Sequence, residues 1–248
     1  MTSKVILETK SLTKRFGGLT ANENISIYVN RGEILGIIGA NGAGKTTLFS
    51  MLAGAVTPSE GEILLEGAPI HKLKANQVCR AGIGRTYQIV QPFTNLTVLE
   101  NVMVGAFLRY PRYEDAAKQA EEVLEFTGLA PIRDVQGGNL TLTQKKRMEL
   151  AKALATEPKV LLLDEVTAGV SPDEHPVFMK LVTDIRDSGV TIVIIEHVMR
   201  VIMNISDRMY VLNQGKLIAQ GSPAEVAANE LVIQSYFGQK RGMSDVKY

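Results

Sequence analysis

The 248-residue chain has one cysteine, Cys79, so an internal disulfide framework is excluded and the composition fits a reducing compartment. It also lacks an excess of either charge. Twenty-seven Lys and Arg against 26 Asp and Glu leave a net +1, and the basic residues form no long block. Nothing in that balance calls for a nucleic-acid partner. No apolar run approaches the ~18 residues of a membrane-spanning helix, so work at a membrane would need another polypeptide to supply the span. The opening stretch Met1-Thr2-Ser3-Lys4-Val5-Ile6-Leu7-Glu8 carries a charge among its apolar residues, unlike a signal peptide. No internal repeat is visible. What the chain does have is 45% hydrophobic residues, enough for the core of one large α/β domain or a domain with a subdomain.

The most informative stretch is Gly39-Ala40-Asn41-Gly42-Ala43-Gly44-Lys45-Thr46. It matches the phosphate-cradling pattern G-x-x-x-x-G-K-[ST], and its flanks suit that role. Glu33 to Ile38 reads as a short apolar strand, and Thr47 to Leu52 as the first turns of a helix. Glycines let backbone wrap a triphosphate, and the helix N-terminus turns its N–H groups and positive dipole end toward the anion. In this pattern Lys45 reaches the β- and γ-phosphates and the Thr46 hydroxyl ligates Mg²⁺.

Along the chain, Val5 to Leu7 and Ile25 to Val29 alternate like strands with one wetted face. Thr57 to Gly61 is a turn into the strand Ile63-Leu64-Leu65. From Leu96 the residues Leu99, Val102, Met103, Ala106 and Phe107 share one helical face. Residues 113–127 predict a charged helix ended by Gly128, and Gln144 to Thr156 a basic amphipathic helix stopped before Pro158. Strand and helix then alternate: Val160–Leu163, residues 174–187, Thr191–Ile195, residues 198–204 and Met209–Leu212. That alternation argues for an α/β fold with a parallel sheet. The middle third, about 72 to 156, holds helices without intervening apolar strands and reads as an inserted helical subdomain. Residues 238–248 are polar and aperiodic and read as a loose tail after a single domain at 1–237.

Further motifs carry possible chemistry. The apolar strand Val160–Leu163 runs into Asp164-Glu165. A carboxylate at a strand's C-terminal end can hold Mg²⁺, and the acid after it can orient or deprotonate water. The plain alternative is a solvated strand edge. Thr191–Ile195 ends in Glu196-His197, where a histidine could sense a γ-phosphate or merely lie at the surface. Gln88 sits before a loop containing Pro92, Phe93 and Asn95, and its neutral amide could ligate Mg²⁺ or hold water. Phe16 could stack on an adenine ring or serve as a core or hairpin aromatic. Leu140-Thr141-Leu142-Thr143-Gln144 heads a helix whose first turns carry Lys145, Lys146 and Arg147. Those cations oppose the helix dipole, which suggests an incoming phosphate, unless the helix is simply capped at the surface.

In this order the motifs resemble the ATP-binding cassette (ABC) family from about Val5 to Gly238. The resemblance implies a P-loop NTPase core with a mixed sheet, an antiparallel β region near the N-terminus and the inserted helical subdomain. It implies ATP and Mg²⁺ as cofactors. Gly39, Asn41, Gly42, Ala43, Gly44, Lys45, Thr46 and Thr47 would hold phosphate, and Phe16 the adenine. Thr46, Gln88 and Asp164 would hold the metal, with Glu165, His197 and Gln88 catalytic. Thr141, Thr143 and Gln144 match the signature segment, which in this family faces the ATP of a second cassette, identical or not. Gly82–Gln88, Leu96–Val102, Ala168–Pro172 and Glu196–Met199 further resemble the ATP-binding subunit of branched-chain amino acid importers, whose relatives serve urea, amides and other small polar solutes. That branch implies integral-membrane permease partners, a solute-binding protein served indirectly, no nucleic acid, and a cytoplasmic place on the inner face of the plasma membrane. The chain departs from the family pattern at three positions. Thr143 stands for the signature glycine, Val166 for a proline, and Ser171 for Asp or Asn. A β-branched Thr143 resists φ > 0 and blocks backbone approach, so the second reading is a cassette with impaired hydrolysis acting as a regulatory or asymmetric partner. A third, a non-transport ABC protein acting on DNA or ribosomes, lacks support because such chains carry paired cassettes or a long coiled coil.

Overall fold

The computed structural model describes residues 4–237. In chain order it forms β1 (Val5–Phe16), β2 (Leu19–Ile25), β3 (Tyr28–Asn30), β4 (Ile34–Gly39), α1 (Lys45–Leu52), β5 (Glu60–Leu65), β6 (Ala68–Pro69), α2 (Ala75–Ala81) and β7 (Ile83–Arg85). There follow α3 (Val98–Ala106), α4 (Tyr113–Thr127), α5 (Leu142–Leu154), β8 (Val160–Asp164), α6 (His175–Asp187), β9 (Thr191–Ile195), α7 (Met199–Ile205), β10 (Arg208–Asn213), β11 (Lys216–Gly221), α8 (Pro223–Ala228) and α9 (Glu230–Phe237). The expected tail at 238–248 lies outside the described residues. Two compact units emerge among the described residues, one from 4–75 together with 191–237, the other from Asn76–Val190.

The first unit holds an antiparallel sheet ordered β2-β1-β5-β6, with β3 also on β1. The strand expected over Ile25–Val29 is interrupted. Ile25 ends β2 and Tyr28 begins β3, while Ile25, Ile27 and Val29 all stay buried. The buried Thr9 hydroxyl satisfies the backbone at the break: it accepts from Ile27 N–H at 3.0 Å and donates to the Ile25 carbonyl at 2.9 Å. The same unit carries four strands ordered β11-β10-β4-β9, in which β4 lies parallel to both β10 and β9. Every residue of β4 and β9 is buried, as an apolar strand covered on both faces requires. Strand β11 is not among the expected strands, although Gln214 (φ 47°) and Gly215 (φ 76°) form the two-residue turn that joins it to β10.

In the second unit β7 pairs in parallel with β8. The stretch 72–156, expected to hold helices without apolar strands, thus contains a strand; with three residues, β7 is too short to display a period. Helices α3, α4 and α5 surround a core that includes Val102, Met103, Ala120, Leu124, Met148 and Ala151. Their ends follow local rules. Thr97 and Glu100 form a reciprocal capping box on α3, and Gly128 at φ 68° closes α4 at the expected residue. No helix among the described residues is long and apolar enough to cross a membrane.

Candidate functional site

In the first unit β4 delivers Gly39 to the C-terminal end of parallel strands, from which the loop turns into α1. Gly44 is the N-cap of α1 at φ 98°, and a Cβ there would lie 2.5 Å from the Ala21 carbonyl oxygen. At Gly39 a Cβ would lie 2.4 Å from the Leu212 carbonyl oxygen, so both positions demand glycine on steric grounds. Helix α1 starts with no side-chain cap and no acidic residue in its first turn. Beside that start the buried Lys45 ammonium donates to the carbonyls of Gly39 at 2.6 Å and Ala40 at 3.1 Å. Thr46 and Asn41 are exposed, Thr47 is half-buried and Ala43 is buried. An uncapped helix start with a lysine and an exposed hydroxyl is a donor set that fits a phosphate carrying a divalent ion.

Two other candidates sit in this unit. The register Ile37↔Ile195 carries the chain after β9 to the same strand-end edge as Gly39, leaving Glu196 buried and His197 exposed. Phe16 lies at the tip of the β1–β2 hairpin, 49% exposed, with the Lys14 ammonium 4.9 Å from its ring centre. It is thus a hairpin aromatic with an open face, and a core role is excluded.

In the second unit the two acids after β8 have different surroundings. Asp164 is buried, and its Oδ2 accepts from Arg85 Nη2 at 3.0 Å, with the two side chains 5% and 8% exposed. Burial pushes the Asp164 carboxyl above the usual carboxylate range, against the hydrogen bond and charge of Arg85, which pull it down. Its backbone N–H donates to the Thr86 hydroxyl at 3.2 Å. Glu165 takes φ 49°, uncommon for a residue with a side chain, and its Oε2 accepts from Gln88 Nε2 at 2.6 Å. Lys146 Nζ donates to the carbonyls of Gln88 at 3.0 Å and Glu165 at 2.9 Å. Gln88, Asp164 and Glu165 are therefore gathered in one place, together with Arg85, Thr86 and Lys146, whose part here no motif marks. One of the three cations heading α5 is consequently an internal tie, which accounts for part of the apparent conflict with the helix dipole.

The signature candidates open α5. Thr141 is its N-cap, and its hydroxyl accepts from Gln144 N–H at 3.3 Å, while Gln144 Oε1 accepts from Thr141 N–H at 2.9 Å. Thr143 lies inside the first turn and is not among the residues with positive φ. The objection that a β-branched residue resists φ > 0 is therefore corrected: the position is helical, and threonine differs from glycine here by its side chain and not by a forbidden backbone conformation. Val166 is buried, and Ser171 is exposed where the chain turns toward α6.

Residues 22–168 match the family model for ABC transporters, and residues 216–240 match that for branched-chain amino acid ATP-binding cassette transporters. The chain is 38% identical to the high-affinity branched-chain amino acid transport ATP-binding protein LivG of Escherichia coli, across 96% of this chain and 99% of LivG. It is 36% identical to the lipopolysaccharide export ATP-binding protein LptB of Haemophilus influenzae, across 95% of this chain and 98% of LptB. Among solved structures, a nucleotide-free ATP-binding cassette from an ABC transporter superposes with a TM-score of 0.88 at 32% identity, across 95% of this chain and all of that one. The ADP conformation of such a cassette gives 0.87 at 31%, across 96% of this chain and all of that one. A family model that covers residues 22–168 and a relative 38% identical over nearly its whole length place the chain: it belongs to the ABC transporter family.

Proposed function

We propose that this chain is the ATP-binding and ATP-hydrolysing subunit of an importer for branched-chain amino acids. The observation that carries the substrate class is the match of residues 216–240 to the branched-chain model, since the export cassette LptB is nearly as similar in overall identity as LivG. ATP lies on Gly39–Thr46, with Phe16 against the adenine. Thr46, Asp164 and Gln88 hold Mg²⁺, which when bound neutralises charge developing on the phosphates. Glu165 orients and deprotonates the attacking water. Its 2.6 Å bond to Gln88 supports a role for that amide in setting the carboxylate's direction. His197 contacts the γ-phosphate. A second cassette presents its Thr141–Gln144 segment to the nucleotide, permease subunits supply the membrane span, and the chain works on the inner face of the plasma membrane.

Two measurements test this reading. Glu165→Gln is expected to abolish steady-state ATP turnover while retaining nucleotide binding; equal turnover refutes the assigned chemistry. Cells from which the gene has been deleted are expected to lose high-affinity uptake of labelled leucine, isoleucine and valine. Unchanged uptake of all three, with loss of labelled urea or amide uptake, transfers the chain to the related importers.

A further inference from the structure

Thr143 occupies the family's glycine position, and its hydroxyl has a definite partner: Thr143 Oγ1 donates to Glu174 Oε2 at 2.9 Å, both residues being half-buried. Glu174 precedes α6, 31 residues further on. A second contact joins the same two segments. Gly169 takes φ 76°, and a Cβ there would lie 3.0 Å from Leu142 Cδ2, so Leu142 packs on the bare backbone of this glycine. The segment from Gly169 to Pro176 is stiff in its own right. It contains Pro172 and Pro176, Glu174 N–H donates to the Ser171 carbonyl at 2.9 Å, and His175 Nε2 lies 3.3 Å from the Val170 carbonyl oxygen. Helix α5 has no acidic residue in its own first turn, so Glu174 brings a carboxylate to that turn from outside it.

We propose that Glu174 is a positioning residue for the signature segment: through the Thr143 hydroxyl it fixes the first turn of α5 against the segment Gly169–Pro176 that leads into α6. Threonine at the glycine position then works as a tether, with its hydroxyl turned to Glu174. This inference rests on the proposed ATPase activity, because the effect of the tether is read in turnover. An untethered first turn samples more orientations, and each interaction that must form in the transition state then costs entropy.

The test compares Thr143→Val, which keeps the side-chain volume and removes the donor, with Glu174→Ala, Glu174→Gln and the double variant Thr143→Val/Glu174→Ala, using the full chain. Thr143→Val and Glu174→Ala are each expected to lower kcat about 5- to 10-fold, the worth of one hydrogen bond. Nucleotide affinity of Glu174→Ala in a fluorescent-nucleotide titration is expected to match the wild type, because the phosphate loop is built from other residues. The double variant is expected to be no slower than either single one, and Glu174→Gln, which keeps an acceptor oxygen, to recover most of the rate. Additive losses in the double variant, an unchanged rate in Thr143→Val, or faster turnover in Glu174→Ala each overturn the tether. A wild type that binds nucleotide without hydrolysing it refutes the proposed function instead. In that event the tether is judged by amide hydrogen exchange over residues 141–147, which must quicken in Glu174→Ala and stay slow in Glu174→Gln.

Discussion

Replacing Arg85 by methionine removes one member of a buried ion pair and keeps most of its volume. Arg85 Nη2 and Asp164 Oδ2 are 3.0 Å apart, with less than a tenth of either side chain exposed. At an effective dielectric of about 20 their attraction is about 5 kcal/mol, much of which offsets the cost of taking both charges out of water. Deleting one member leaves the other charge buried alone, which costs about 3–5 kcal/mol. The loss depends on pH in a stated direction. Burial already holds the Asp164 carboxyl above its ordinary value, while Arg85 opposes that rise. An acid that is harder to ionise in the folded protein withdraws stability as pH climbs from its unfolded value, about 4, through the higher folded value, and the loss is complete above it. Without Arg85 the folded value rises further, so the withdrawal deepens and extends to higher pH. Urea denaturation of Arg85→Met is therefore expected to reveal a modest deficit at pH 5 and a deficit of about 3 kcal/mol or more at pH 8. Adding Asp164→Asn, which removes the stranded charge, is expected to restore much of the loss. A deficit below about 1 kcal/mol at pH 8, or one equal at the two pH values, refutes the reasoning.

Other outcomes follow from single contacts. Asn101 is fully buried; its Oδ1 accepts from Phe93 N–H, and Nδ2 shares its two hydrogens among the carbonyls of Phe93, Leu96 and Thr97. Asn101→Leu strands these groups and is expected to cost about 2–4 kcal/mol in urea denaturation; an unchanged midpoint would show that the loop carbonyls find other donors. Gly44→Ala forces a Cβ to within 2.5 Å of the Ala21 carbonyl oxygen at φ 98°. It is expected to abolish nucleotide binding in a fluorescence titration and to lower stability by about 1–3 kcal/mol, and retained tight binding would refute the loop geometry. Phe16→Ala should weaken ATP binding about 5- to 10-fold without lowering stability, since the ring is half exposed; an unchanged affinity removes Phe16 from the site.

What the sequence by itself determined are features written within a few neighbouring residues. The phosphate loop is legible because glycine spacing, lysine and a flanking strand and helix all lie within Glu33–Leu52. The bounds of α4 and the start of α3 were equally local, since Gly128, Thr97 and Glu100 terminate helices by bonds to adjacent backbone. Tertiary structure alone decided the partners of the chemistry-bearing side chains. Arg85 meets Asp164 across 79 residues and Thr143 meets Glu174 across 31, and neither pairing leaves a periodic or compositional trace. Strand β7, which carries Arg85, has three residues and exists because β8 offers it a ladder. The break between β2 and β3 is likewise met from afar, by a buried Thr9 hydroxyl on β1 that bonds the Ile25 carbonyl and the Ile27 N–H. Local rules fix the helix caps and the glycine-rich turn before α1, whereas the charge and direction of each side chain depend on what packs against it once distant segments meet.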